Sequence, residues 1–165
     1  MDWLVVVVQW LHVLLGILWF GNALALAVIV IPAMNRLPIV RQREIGGAIG
    51  LRSNRIFPVV VPLIILLGIA RGTVLGPIKS LDILFGTAYG LTWLAALVVT
   101  TLTFIWGLRV IVPAVEAMER APVNAHGTPT AALIAATDRA KRLVLVELIG
   151  FLGIYTCMIL MRFGL

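Results

Sequence analysis

A histidine, a glutamate and three soft sulfur ligands lie inside long apolar stretches of this sequence. His12 sits in QWLHVLLGILWFG (9–21), and YTCMILM (155–161) carries Cys157, Met158 and Met161. Imidazole, thioether and thiolate together suit copper, Cu(I) above all. A lone imidazole facing the interior of a helix bundle suits a second chemistry, axial ligation of a b-type haem. Helical spacing sets Gln9, His12, Gly16, Trp19 and Ala23 on one stripe. A glycine beside the ring leaves room there for something flat or small. Arg71 is placed to pair with a haem propionate, and Met158 shares a helix face with Met161. The expected metal ligands are thus His12, Cys157, Met158 and Met161. The expected haem contacts are His12, Gly16, Trp19 and Arg71. Glu147, about one turn inside the end of the last apolar stretch, is expected to pair with Arg55, Arg109 or Arg142. His126, in the turn APVNAHGTP (121–129), reads as a solvated surface residue.

The rest of the chain offers no catalytic apparatus of its own. GxGxxG, GxSxG, HExxH and CxxC are all absent, and one cysteine excludes an internal disulfide. An enzyme built on this sequence would take its chemistry from a cofactor.

The elements that hold these residues are membrane-spanning helices. Of 165 residues, 62% are hydrophobic and only 12% charged, about half the share of a soluble domain, and the mean hydropathy is +1.12. Four stretches reach the ~20 residues a helix needs to cross a hydrocarbon core: 4–31, 56–75, 84–112 and 143–163. The fold class expected is an all-α membrane protein, a four-helix bundle in a single domain over 1–165. Pro58 is expected in the first turn of the second span, and Pro62 to kink it. No cleavable signal is evident, since Asp2 stands where a positive region would be. The net charge of +6 is read as cytoplasmic loop charge and not as a nucleic-acid surface.

Lysine and arginine give an orientation. Arg36, Arg41, Arg43, Arg52 and Arg55 follow the first span, and Arg109, Arg120, Arg139, Lys141 and Arg142 follow the third. Only Arg71, Lys79 and Arg162 fall on the other side. Both termini are therefore expected outside, in a plasma (inner) membrane. Trp3, Trp10 and Trp106 are expected as interfacial anchors. His12 then lies about five residues outward of the first span's centre, roughly 7 Å at 1.5 Å per residue. Cys157, Met158 and Met161 fall in the same outer half, although the two helices run in opposite directions.

The chain also carries an internal echo. VIVIPAMNRLP (28–38) parallels VIVPAVEAMERAP (110–122), and NRIFPVVVPLIILLGI (54–69) parallels DRAKRLVLVELIGFLGI (138–154). Two tandem helical hairpins, 1–75 and 82–165, are expected, related by an axis along the membrane normal. Gly86 and Gly90 are spaced as a GxxxG packing face, while Gly46 and Gly50 are read as part of a flexible loop. Asn22, Thr100, Thr101 and Thr103 are expected to hydrogen-bond between helices. The Ala-rich stretch from Thr130 is expected to start the fourth helix well below the membrane.

LHVLLGILWFG (11–21) resembles the first-helix pattern of the copper-resistance protein D superfamily. SLDILFGTAYG (80–90) is similar to the family's element in which a T-x-Y-G step opens a later helix, and RLVLVELIGFLGI (142–154) to its closing helix. The resemblance implies an inner-membrane protein of copper uptake or resistance. A related branch, the membrane protoporphyrinogen oxidases, implies haem on His12 with Trp19 and Gly21 as the packing step beside it. The chain departs from both where Ala95 and Ala96 replace a lysine common after the YG element.

Three functions follow as expectations. The first is copper handling in the outer half of the bundle. The second is a haem b redox protein using His12, exchanging electrons with quinone or a porphyrin. The third is a cofactor-free structural subunit of a membrane complex. The partners expected are the lipid bilayer and either a second copy of the chain or a redox or copper partner outside.

Overall fold

The computed structural model describes residues 2–165, apart from the side chain of Val40. Helix α1 runs over Trp3–Ala25, continues through a π-helical turn at Leu26–Val30 and ends with Ile31–Met34. Helix α2 is Ile39–Gly72 and the short α3 is Leu81–Gly86. Helix α4 runs over Ala88–Trp106, a second π turn at Gly107–Ile111, and Val112–Arg120. Helix α5 is Ala131–Arg162. Four helices are long and apolar enough to cross a membrane, spanning 32, 32, 33 and 32 residues. At 1.5 Å per residue each is roughly 48 Å long, longer than a ~30 Å hydrocarbon core. Among the described residues there is no β-strand, only one bridge between Val123 and Pro129.

Local chemistry sets the helix ends. Asp2 caps α1 by accepting from Leu4 N–H at 3.0 Å. Thr130 caps α5 by accepting from Leu133 N–H at 3.2 Å, and its own hydroxyl donates to the Pro122 carbonyl. Thr87 opens α4 by accepting from Gly90 N–H at 3.0 Å. Gly90 is required there, because a Cβ would run into the carbonyls of Ile83 and Leu84 in the preceding turn. These two residues account for the TAYG step seen in the sequence.

Each π turn ends just before a proline, Pro32 or Pro113. Proline has no N–H, and its ring clashes with the carbonyl four residues earlier. The wider turn relieves that clash. Ile31 N–H bonds to Leu26 O and Val112 N–H to Gly107 O, five residues back in both cases.

Four expectations are corrected. The basic segment after α1 is mostly helix: α2 starts at Ile39, so Gly46 and Gly50 are helical and Pro58 is interior, not in a first turn. These glycines pack, Gly46 against Met34 and Gly50 against Val115 and Glu119. Gly86 and Gly90 do not share a helix face, because Thr87 breaks the helix between them. Trp106 is not a free interfacial anchor, since its Nε1–H donates to the Leu143 carbonyl at 3.3 Å. Trp3 and Trp10, 69% and 62% exposed, do lie on the outer surface.

Helix α1 packs along α2 and α4 along α5, with further contacts from α1 to α5 and from α2 to α4. The core sits at mid-bundle: Trp19 and Ala23 of α1, Val61 and Ile64 of α2, and Phe151 of α5. Val61 is completely buried. Trp19 meets Phe151 edge-on, with ring centroids 4.7 Å apart. The outward faces remain apolar: Leu66, Leu102 and Ile149 are each more than half exposed. In water such a surface would drive association; against lipid it needs no cover.

Candidate functional site

A cavity of about 630 Å³ opens between the helices on the side of the core nearer the chain termini, within the ~300–1,000 Å³ range of small-molecule sites. Helix α1 lines it with Gln9, His12, Gly16 and Trp19, and α2 with Ile64, Gly68, Arg71 and Gly72. Tyr89, Trp93 and Thr100 come from α4, and Phe151, Tyr155, Met158, Met161 and Arg162 from α5. Of the residues singled out in the sequence, His12, Gly16, Trp19, Arg71, Met158 and Met161 meet here. Cys157 does not line the cavity; it faces elsewhere on α5. Among the described residues, no three His, Cys, Asp or Glu side chains gather closely enough to hold a metal ion.

His12 Nδ1 lies 3.0 Å from the Ile64 carbonyl oxygen. A carbonyl only accepts, so Nδ1 carries the proton and donates it. In the neutral ring this leaves the Nε2 lone pair free, and Nε2 has no hydrogen-bond partner among the described residues. A hydrogen bond of this kind fixes tautomer and ring orientation in metal-bound histidines.

Two glycines of α2 make the fit possible. At Gly68 a Cβ would stand 3.0 Å from His12 Cε1, so the imidazole rests against bare backbone. The Gly68 carbonyl also accepts from Trp93 Nε1–H at 3.4 Å. At Gly72 a Cβ would overlap the Trp93 indole. GIARG (68–72) is therefore a GxxxG face that admits an imidazole and an indole between helices. The same spacing occurs at Gly46/Gly50, Gly72/Gly76 and Gly86/Gly90, and nothing local marked Gly68/Gly72 as the pair that seats the two rings. Gly16 and Gly21, by contrast, have open space where a Cβ would go. Gly16 thus leaves the cavity wall unfilled, and Gly21 makes no close approach.

The charge pattern is one-sided. Arg71 and Arg162 line the cavity, and among the described residues no carboxylate does. Arg71 Nε is buried without a hydrogen-bond partner, and its Nη1 reaches only the Leu75 carbonyl at 3.4 Å. A buried donor in that state calls for an acceptor.

No protein-family model, curated protein or solved structure matches this chain. The site is therefore read from its own residues. Substituting Gly68→Ala should press a methyl group on His12 and tilt the ring away from Ile64. A ligand held by Nε2 is then expected to bind about 10–100-fold more weakly, as when orienting groups around metal ligands are removed. Titration of the purified variant against the unsubstituted protein reads that change.

The glutamate expected to be ion-paired is not. Glu147 has no cation within 4.0 Å among the described residues, whose only ion pairs are Arg41–Glu44 and Arg120–Glu116. Its Oε1 would instead stand 3.2 Å from a Cβ at Gly107, so the side chain lies against the second π turn. His126 is exposed in its turn.

Proposed function

We propose that this chain is a multi-pass membrane protein that holds b-type haem, with His12 as axial ligand, and uses it for electron transfer. The observation that carries this reading is the pairing of a backbone-anchored imidazole with two guanidinium groups around one large apolar cavity. A haem b has a flat apolar ring, an iron that takes imidazole nitrogen and two propionates. Aromatic walls from Trp19, Trp93 and Phe151 suit the ring, His12 Nε2 suits the iron, and Arg71 and Arg162 suit the propionates. Met158 and Met161, which also line the cavity, would offer a thioether to the iron. The bound haem would provide one-electron chemistry. The chain's own part is to orient the imidazole, neutralise the carboxylates and exclude water.

Copper handling fits these residues less well. The two arginines repel a cation, the cavity is far larger than one ion, and Cys157 does not line it. Within the resemblance to the copper-resistance protein D superfamily, this reading favours the haem-binding branch.

The same proposal takes both termini as extracytoplasmic in a plasma membrane, with 1–75 and 82–165 as tandem hairpins. The loop charges support the orientation. The matched π turns before Pro32 and Pro113 support the repeat.

The experiment is an absorption spectrum with metal analysis, on protein purified in mild detergent from cells supplied with both copper and haem precursors. A Soret band with one iron per chain is the expected result. Stoichiometric copper without a Soret band would overturn the proposal in favour of copper handling, and neither signal would leave a structural subunit.

A further inference from the structure

A second cavity, of about 280 Å³, lies beyond the core from the first. The two are stacked along the same helix faces. On α1, His12, Gly16 and Trp19 line the outer one, and Trp19, Asn22 and Leu26 the inner. On α5, Met158, Tyr155 and Phe151 line the outer one, and Glu147 and Val144 the inner. Trp19 borders both, and with its edge-on contact to Phe151 it forms an aromatic layer one side chain thick.

The inner cavity has features that packing alone does not require. Both π turns border it, through Leu26 and Val30 of α1 and Gly107, Leu108 and Ile111 of α4. π turns inside α-helices occur frequently at functional sites. Glu147 projects into the space that Gly107 leaves open. Its carboxyl has neither a counter-ion nor a hydrogen bond from the described residues. An unpartnered carboxylate inside a membrane helix is costly unless it is hydrated or holds a proton. The charged groups lining the cavity besides Glu147 are Arg43 of α2 and Lys141 of α5; α1 and α4 contribute none. Arg43 donates through Nη2 to the Ala121 carbonyl at 2.5 Å and its Nε is buried without a partner, yet it comes no nearer than 4.0 Å to the Glu147 carboxyl. Lys141 lies six residues before Glu147 on its own helix, roughly 9 Å along the axis. Asn22 and Asn54 add amides that can hydrogen-bond water, and the volume of about 280 Å³ is large enough for several water molecules.

We infer that the inner cavity is a hydrated proton-loading compartment with Glu147 as its carrier. The carboxylate takes a proton from hydronium that enters from the face bearing the basic segments. It holds it as the neutral acid and returns it to water, with no electron moved. The carrier thus stands one aromatic layer from the outer cavity. This inference does not depend on what the outer cavity binds.

Infrared difference spectroscopy on the full chain in lipid nanodiscs tests it. A protonated-carboxyl stretch is expected that disappears in Glu147→Gln, weakens as the pH is raised, and shifts promptly on transfer to D2O. Asn22→Leu, which fills the cavity, should slow that shift. If Glu147→Gln does not fold, Glu147→Asp should move the same band. The band should persist in His12→Ala, so loss of the outer ligand is separable from failure here. Two results would overturn the inference: no such band at any pH, or a band that neither titrates nor exchanges.

Discussion

His12→Ala protein should purify folded and without the Soret band. The ring supplies the one imidazole in the outer cavity, and nothing else there replaces its nitrogen. The fold should survive the change. His12 makes one hydrogen bond, to Ile64, worth about 0.5–1.5 kcal/mol net, and it borders a cavity, so its removal enlarges existing space and forces no overlap. The deletion leaves an imidazole-shaped space against Gly68. Added imidazole should therefore restore part of the band, a recovery that a merely unfolded variant would not show. Substituting Cys157→Ala should leave the band as it is, since that thiol does not face the cavity. Retention of full haem by His12→Ala would assign the iron to another ligand.

Gly72→Leu is expected to have the largest effect on the bundle itself. A Cβ at this position would already clash with the Nε1, Cε2 and Cδ1 atoms of Trp93, so no leucine rotamer escapes the overlap. Either α2 moves away from α4, or the indole swings into the outer cavity. Overpacking of this kind costs about 1–3 kcal/mol. A displaced indole would also occupy the space proposed for the haem ring. The variant should show both a lower thermal midpoint and reduced haem content. Gly21→Ala, with open space at its Cβ in the interior of α1, should not lower stability and should raise it by up to about 1 kcal/mol, the helix preference of alanine over glycine. If Gly72→Leu matched the parent in both readouts, the close approach of α2 and α4 would be wrong.

What was legible in the sequence was what depends on local composition. Four apolar stretches became four long helices, because chain in a bilayer must satisfy its own backbone hydrogen bonds. Thr130 was readable as the start of α5, and His126 as an exposed turn residue, from side-chain chemistry alone. The helical stripe of His12, Gly16 and Trp19 was likewise readable, being fixed by 3.6-residue periodicity.

Facing was not legible. Lipid and bundle interior are equally apolar, so periodicity in these helices marks a shared face without saying which way it points. Cys157 and Met158 are adjacent in sequence, and only the packing of α5 against α1 and α4 turned Met158 inward and Cys157 away. Four GxxxG pairs looked alike until tertiary contact showed His12 and Trp93 seated on Gly68 and Gly72, while Thr87 parted Gly86 from Gly90. Charge alone pointed Glu147 at an arginine, whereas in the fold it lies against a glycine of a π turn. The sequence by itself determined how many long apolar helices there are and what each carries. The tertiary structure alone decided which residues share a cavity, because that depends on how each helix is rotated about its axis, and only close packing with its neighbours sets that rotation.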